Sequence, residues 1–140
     1  MRYYKLVYDY EQDDNYVNCD VARIGNMNEY ITSSGEEINQ WSEVVFEYDS
    51  TEGNVLTDYL ANLYRWFVVS ENFCNMTRKM LEGQVQYLPI RVIGRFTEIR
   101  VDSYSVANIV TLIDALDLNN SKYDVFELDG EKIVFVEKYA

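Results

Sequence analysis

The chain of 140 residues has no histidine, one proline and two cysteines, and it has half as many basic residues as acidic ones. Histidine is the commonest general base and the commonest metal ligand in proteins. Its absence excludes the metalloprotease, histidine-based triad and zinc-deaminase patterns. The formal net charge is −12. Because nucleic acid attracts basic surfaces, this charge argues against nucleic acid as a partner and favours a basic protein.

Other chemical signatures are also missing. Cys19 and Cys74 fit neither a zinc spacing nor a C-x-x-C redox motif, so both are expected to be reduced, apolar core residues. The six glycines form neither a dinucleotide fingerprint nor a P-loop. Counting alone does not exclude a carboxylate pair like that of glycosidases, although no acid stands out in an apolar run. We therefore predict a protein that is not an enzyme and uses no metal or cofactor.

The remaining composition is that of a folded domain. Apolar residues make up 48% of the chain, which is enough for a core without disulfides at this length. No stretch approaches the ~20 apolar residues of a membrane span, and no apolar run follows the basic residues of the N-terminus. The sequence predicts one domain over residues 1–140, soluble and cytoplasmic, with no membrane contact.

Short apolar and aromatic runs predict strands at 3–8, 44–48, 66–69, 85–93 and 96–101. Pro89 predicts that its strand is bent or lies at a sheet edge. Ser70 is the predicted N-cap of a helix with Glu71 in its first turn. Apolar residues at helical spacing carry that helix to residue 81, with basic residues in its last turn, and Gly83 ends it.

Two C-terminal segments complete the prediction. Residues 104–116 have helical apolar spacing but many β-branched residues, and we favour a strand. Residues 123–128 and 132–139, joined by Asp129 and Gly130, predict a β-hairpin with a type I′ turn. The predicted fold class is α+β, a mostly antiparallel sheet with one or a few helices and a C-terminal hairpin.

Negative charge is concentrated early in the chain. Residues 1–60 contain 13 carboxylates and three basic residues, and residues 9–20 contain no basic residue. Tyrosines interleave with the acids there, a composition suited to meeting Lys or Arg at a protein interface. The alternative is a solvated loop that keeps the protein soluble. The predicted partner-binding residues are Asp9, Tyr10, Glu11, Asp13, Asp14, Tyr16 and Asp20.

Several blocks of the sequence resemble one protein family. They include WFVVSE at 66–71, VANI at 106–109 and VEKYA at 136–140, together with residues 41–48, 57–62, 87–89 and 114–117. Their order and spacing resemble a family of small bacterial proteins, formerly a domain of unknown function, that is predicted to contain immunity proteins of polymorphic toxin systems. Such relatives often continue past the last block, so the resemblance implies either a short member of the family or a fragment that lacks a C-terminal segment.

The resemblance implies a cytoplasmic protein that binds a cognate toxin domain and blocks it directly, without cofactor or turnover. The acidic surface suggests that this toxin domain is basic. The motif residues themselves are expected to be structural: residues 66–69 in the core, and Asp58 and Asn62 in capping or turn hydrogen bonds. The alternative function is a structural or regulatory module that self-associates through an unpaired strand edge or its aromatic surface.

Overall fold

The computed structural model describes residues 15–97, 99–111, 119–128 and 130–138. These residues form mostly sheet, with one α-helix. Seven strands share one sheet: β1 (Asn18–Cys19), β2 (Val21–Arg23), β3 (Val45–Asp49), β4 (Tyr59–Asn62), β5 (Val68–Ser70), β6 (Val85–Arg95) and β7 (Arg100–Ile109). Helix α1 (Glu71–Thr77) follows β5, and a 3₁₀ turn (Ile31–Ser33) lies between β2 and β3.

The order of the strands makes the sheet nearly close on itself. It reads β1-β4-β5-β7-β6-β3-β2, so that β1 and β2 occupy opposite edges. Those two strands are separated in the chain by Asp20 alone. Since one residue cannot span a flat seven-stranded sheet, the sheet must curl until its edges nearly meet, which gives it a barrel-like form.

Most strand pairs are antiparallel. The exceptions are the parallel pairs β1–β4 and β3–β6. At the centre, β6 and β7 form a long hairpin whose pairing runs from Val85 opposite Ile109 to Ile93 opposite Arg100. The predicted mainly antiparallel sheet with few helices is thus confirmed for the described residues.

The core lies inside the curled sheet. Phe46, Tyr48, Leu60, Trp66 and Val68 are buried there in one cluster. A second cluster on the outer face joins Val69 and Ala107 to Cys74 of α1. Because successive side chains of a strand point to opposite faces, β5 is buried on both sides. The continuous apolar run at 66–69 follows from this position.

Helix α1 begins where the sequence predicts. The Ser70 hydroxyl accepts a hydrogen bond from the Phe73 N–H at 3.1 Å, and Glu71 lies in the first turn. The predicted end at residue 81 is wrong, because the helix stops at Thr77. The Thr77 hydroxyl bonds to the Phe73 carbonyl at 2.8 Å and lies 2.7 Å from the Tyr87 hydroxyl. These bonds hold the end of the helix against β6, and the chain continues as turns.

Pro89 lies in an interior strand, so the alternative of a sheet edge is wrong. Strand β6 has β7 on one side and β3 on the other. The pairing with β3 begins only at Arg91, whose N–H donates to the Val44 carbonyl at 3.0 Å. Pro89 lies before that point, and its carbonyl accepts from Trp41 Nε1 at 2.9 Å. The proline therefore removes no hydrogen bond from the β3–β6 ladder.

The ambiguous segment 104–116 is strand over residues 104–109, and the described residues 110 and 111 lie beyond the strand. Strand β7 runs to Ile109, while residues 112–118 lie outside the described residues, as does the predicted strand at 3–8. Strands β8 (Lys122–Leu128) and β9 (Glu131–Lys138) pair antiparallel in a separate two-stranded sheet. Asp129 of the predicted type I′ turn is not described, so that turn remains a prediction.

Candidate interaction surface

Two of the seven residues predicted to bind a partner lie in the described part of the chain. Tyr16 is half-buried and forms a parallel bridge with Val55, and its carbonyl packs against Gly53. Asp20 is exposed at the link between β1 and β2. Asp9, Tyr10, Glu11, Asp13 and Asp14 lie outside the described residues. The structure therefore gives Tyr16 and Asp20 contacts within the fold.

Asp20 is joined to Arg95 at the closing edge of the sheet. Arg95 Nη2 donates to Asp20 Oδ2 at 2.7 Å and lies 3.9 Å from an oxygen of Asp49. The hydrogen bond to Asp20 is the main cause that raises the pKa of Arg95. A hydrogen bond from the Thr51 hydroxyl is the first cause that lowers the pKa of Asp49. Both carboxylates thus stabilise the fold locally.

The sheet's other arginines are also paired with the chain's own acids. Arg23 contacts Glu47 at 2.5 Å, and Arg91 lies between Glu43 and Asp102. Arg100 lies 3.5 Å from Asp102. Hydrogen bonding from Arg91 is the first cause that lowers the pKa of Asp102. These acids have cations beside them and attract an external basic group less strongly.

Residues 24–42, named here the acidic loop, carry charge without such compensation. The loop contains Glu29, Glu36 and Glu37 and no basic residue, and all three side chains are exposed. None of them forms an ion pair within the part of the chain that the structure describes. A basic partner would therefore meet three uncompensated carboxylates on this loop.

The backbone of the acidic loop is fixed by side chains from the sheet. Gln86 of β6 accepts from the Ile38 N–H and donates to the Ile38 carbonyl, both at 3.0 Å. Asn108 of β7, which is fully buried, donates from Nδ2 to the Glu36 carbonyl at 2.9 Å. These bonds hold residues 36–38 along the sheet, so the two glutamates there extend from a positioned backbone.

A shallow groove lies between the acidic loop and the turn that joins β4 to β5. It is lined by Glu29, Tyr30, Leu63, Tyr64 and Arg65 and has a volume of about 310 Å³. Tyr30 and Leu63 expose 69% and 48% of their surface. Aromatic side chains and arginine are the residues that most often dominate binding energy at protein interfaces.

The described residues give little support for a metal site or a reactive side chain. No group of three or more of them with metal-ligating side chains is placed to hold an ion. The Asp58 carboxylate accepts from the Ser70 hydroxyl, and Asn62 closes its own turn, as the sequence predicted for both. The Cys19 and Cys74 thiols are free and buried, and burial is the first cause that raises the pKa of each. No described helix is long and apolar enough to cross a membrane.

The acidic loop lies outside the segment 9–20 that the sequence predicts to bind a partner. One signal was present, because 19 consecutive residues contain three acids and no Lys or Arg. The groove itself is not visible in the sequence, since Leu63 and Arg65 come from a turn more than 30 positions after Glu29 and Tyr30. Only the folded chain brings the two segments together.

No curated protein matches the chain. A model of an immunity protein family, Imm11, matches residues 3–138. The match runs through the sheet, the acidic loop and the groove, and it agrees with the family resemblance of the sequence blocks. Because it covers nearly the whole chain, this protein belongs to the Imm11 immunity protein family.

Proposed function

We propose that this protein binds a cognate toxin domain of a polymorphic toxin system and neutralises it by direct, non-catalytic blocking in the cytoplasm of the producing cell. Membership of an immunity protein family is the observation that carries the proposal. The net charge of −12 supports a basic toxin surface as the partner, with no role for nucleic acid or membrane.

The physical mechanism is occlusion of the toxin. An acidic surface steers a basic partner into contact and suppresses partners of like charge. Blocking needs no bond making, so one inhibitor molecule occupies one toxin molecule for the lifetime of the complex. The proposal includes the acidic segment 9–20, with Asp9, Tyr10, Glu11, Asp13, Asp14, Tyr16 and Asp20 as partner-binding residues.

The test is co-expression with the toxin domain encoded by the neighbouring reading frame, followed by purification of the complex. Cell survival together with a stable stoichiometric complex is the expected result. Survival without a complex would exclude direct blocking. Failure to rescue at equal expression would reject the immunity function for that toxin.

The contribution of segment 9–20 has its own test. Reversal of charge by Asp13→Lys and Asp14→Lys is expected to slow association, and the effect should shrink at high salt because mobile ions screen exposed charges. If association rate and salt dependence both stay unchanged, that segment does not contact the toxin.

Self-association is a second candidate function, favoured by β8. Val125 and Phe126 are neighbours on this strand, so they point to opposite faces, and each exposes more than half of its surface. A two-stranded sheet with apolar residues on both faces gains stability when it is covered. Light scattering across protein concentration decides this candidate, and a monomer at every concentration would reject it.

A further inference from the structure

The floor of the groove beside Tyr30, named here the Tyr30 groove, is built from packed aromatic rings. Tyr64 is half-buried, with its ring centroid 5.4 Å from that of Trp66 and 6.4 Å from that of Phe46. Phe46 and Trp66 belong to the main core. Tyr64 therefore rests on buried rings, while Tyr30 and Leu63 project beside it with open surface. Such a site offers apolar contact area on a rigid base.

Hydrogen bonds between side chains and the backbone fix both walls of the groove. On one wall, Trp66 Nε1 donates to the Glu29 carbonyl at 2.7 Å and so ties the acidic loop to the core. On the other, the Asn62 side chain donates to the Trp66 carbonyl at 2.8 Å and accepts from the Trp66 N–H at 3.0 Å. A groove with fixed walls loses little conformational entropy when a partner fills it.

Arg65 has an unusual backbone within this turn. Its φ is 57°, in the left-handed region that a residue with a Cβ rarely adopts. The bonds made by Asn62, and the Arg65 N–H donating to the Asn62 carbonyl at 3.1 Å, hold it there. The turn thereby keeps Leu63 and Arg65 exposed on either side of Tyr64.

The charges around the groove indicate the chemistry of its occupant. Glu29 lines the groove, and Glu36 and Glu37 extend from the same acidic loop. Among the described residues, Arg65 is the one basic residue in its lining. By contrast, Arg78 and Lys79, together with Glu82, line a hollow beside Val85 and Tyr87. Gln86, between those two residues of β6, bonds to the acidic loop. Alternation along β6 therefore puts this pair of cations and the acidic loop on opposite faces of that strand.

We infer that the Tyr30 groove and the adjoining acidic loop are the docking face for the toxin, and that the toxin covers them with a Lys- or Arg-rich surface. This inference rests on the proposed function. Tyr30 and Leu63 supply the central contact area. Glu29 lines the same groove, and Glu36 and Glu37 line a neighbouring hollow of the acidic loop, so the three glutamates complement the partner's charge. Loss of the central contacts should act mainly on dissociation, whereas loss of the loop's charge should act mainly on association.

The experiment measures association and dissociation rates of the full chain with the same neighbouring toxin domain, at low and high salt. Tyr30→Ala is expected to raise the dissociation constant roughly tenfold or more through faster dissociation, while Tyr30→Phe keeps the ring and binds like the wild type. Glu36→Lys with Glu37→Lys is expected to slow association about tenfold at low salt, and by much less at high salt.

The matched control reverses the same amount of charge elsewhere. Glu71 and Glu82 are exposed acids, at the start of α1 and in the turns after it. Glu71→Lys with Glu82→Lys gives the same net charge as the loop variant, and its rates are expected to stay within about twofold of wild type. Thermal unfolding of every variant verifies that it is folded.

The outcomes separate the two proposals. If the wild type binds the toxin and the Tyr30 and loop variants bind it equally well, the docking face alone is overturned. Equal slowing by the loop variant and its control would also overturn it, because total charge would then be sufficient. Absence of wild-type binding would reject the proposed function, and the docking face with it.

Discussion

Arg95 Nη2 donates a hydrogen bond to Asp20 Oδ2 at 2.7 Å, which joins the last residue of β6 to the one residue between the two edge strands. The bond lies where the curled sheet brings β1 and β2 together. The sequence alone predicts Asp20 to bind a partner. Asp20 therefore helps to close the sheet, in addition to any contact with a partner.

Asp20→Ala is expected to lower the free energy of unfolding by a small amount, as for other exposed ion pairs, and less at high salt. Urea unfolding of Asp20→Ala, Arg95→Ala and the double variant forms a double-mutant cycle. A non-additive pair of effects supports direct coupling. Fully additive effects would show that the contact does not stabilise the closure.

Ser70→Ala should destabilise the protein by about 1–2 kcal/mol, because it removes the acceptor for the Phe73 N–H at the start of α1. The same change frees the Asp58 carboxylate from its hydrogen bond with Ser70. Urea unfolding measures the loss. Ser33→Ala removes an exposed hydroxyl away from α1 and serves as the control, and an equal loss in both variants would contradict the capping role.

Gly94→Ala should also destabilise, by about 1–3 kcal/mol, because the added methyl group has no space. A Cβ at this position would lie 2.8 Å from the Tyr48 hydroxyl oxygen and 2.7 Å from Thr97 Oγ1. Combining Gly94→Ala with Tyr48→Phe removes one of these contacts and should restore part of the stability measured by thermal unfolding. No restoration would mean that the Tyr48 hydroxyl is not the source of the strain, since the Tyr48 ring carbon Cζ, 2.9 Å from the added Cβ, remains in both variants.

Asn108→Ala is expected to loosen the acidic loop and to cost about 1–3 kcal/mol, since it leaves the Glu36 carbonyl without its donor. Gln86 Oε1 accepts hydrogen bonds from both the Ile38 N–H and Asn108 Nδ2. Hydrogen exchange at the Ile38 N–H should therefore accelerate in the variant. Asn26→Ala, which removes an exposed amide elsewhere in the acidic loop, is the control. Unchanged exchange at residues 36–40 in Asn108→Ala would contradict the anchoring role.

Alkaline pH should weaken the fold through Cys19. Burial, and then the charge of Asp20, raise the pKa of Cys19 from 9.0 to about 12. A raised native pKa means that the thiolate forms more readily in the unfolded chain, so stability is complete below pH 9 and falls as pH rises toward 12. Unfolding midpoints from pH 8 upward should decline more steeply in wild type than in Cys19→Val.

The thiol itself provides a second readout. In the native protein at pH 8, a thiol-specific reagent should leave Cys19 unmodified, because the reactive thiolate is disfavoured. Full reaction is expected only after denaturation. Rapid modification of the native protein would contradict the burial of this side chain.

Local signals in the sequence determined the elements whose stabilising contacts are also local. Ser70 caps α1 through a residue three positions later, and the continuous apolar run at 66–69 predicts a buried strand, to which Val68 and Val69 belong. The predicted end of α1 is wrong because the observed end depends on the contact of Thr77 with Tyr87, which lies on strand β6. A sheet edge is one of the positions predicted for Pro89, because the residues around it do not show where β3 begins to pair with β6.

The sequence by itself determined the total charge, the missing chemistry of histidine and the family resemblance, since these depend only on which residues are present and in what order. Tertiary structure decided which carboxylates are paired and which stay uncompensated. Asp20 pairs with Arg95, which lies 75 positions away in the sequence. Glu36 and Glu37 stay exposed on a backbone that is held by hydrogen bonds at the Glu36 carbonyl and the Ile38 N–H. Coulomb attraction falls with distance in space, and distance along the chain does not report it.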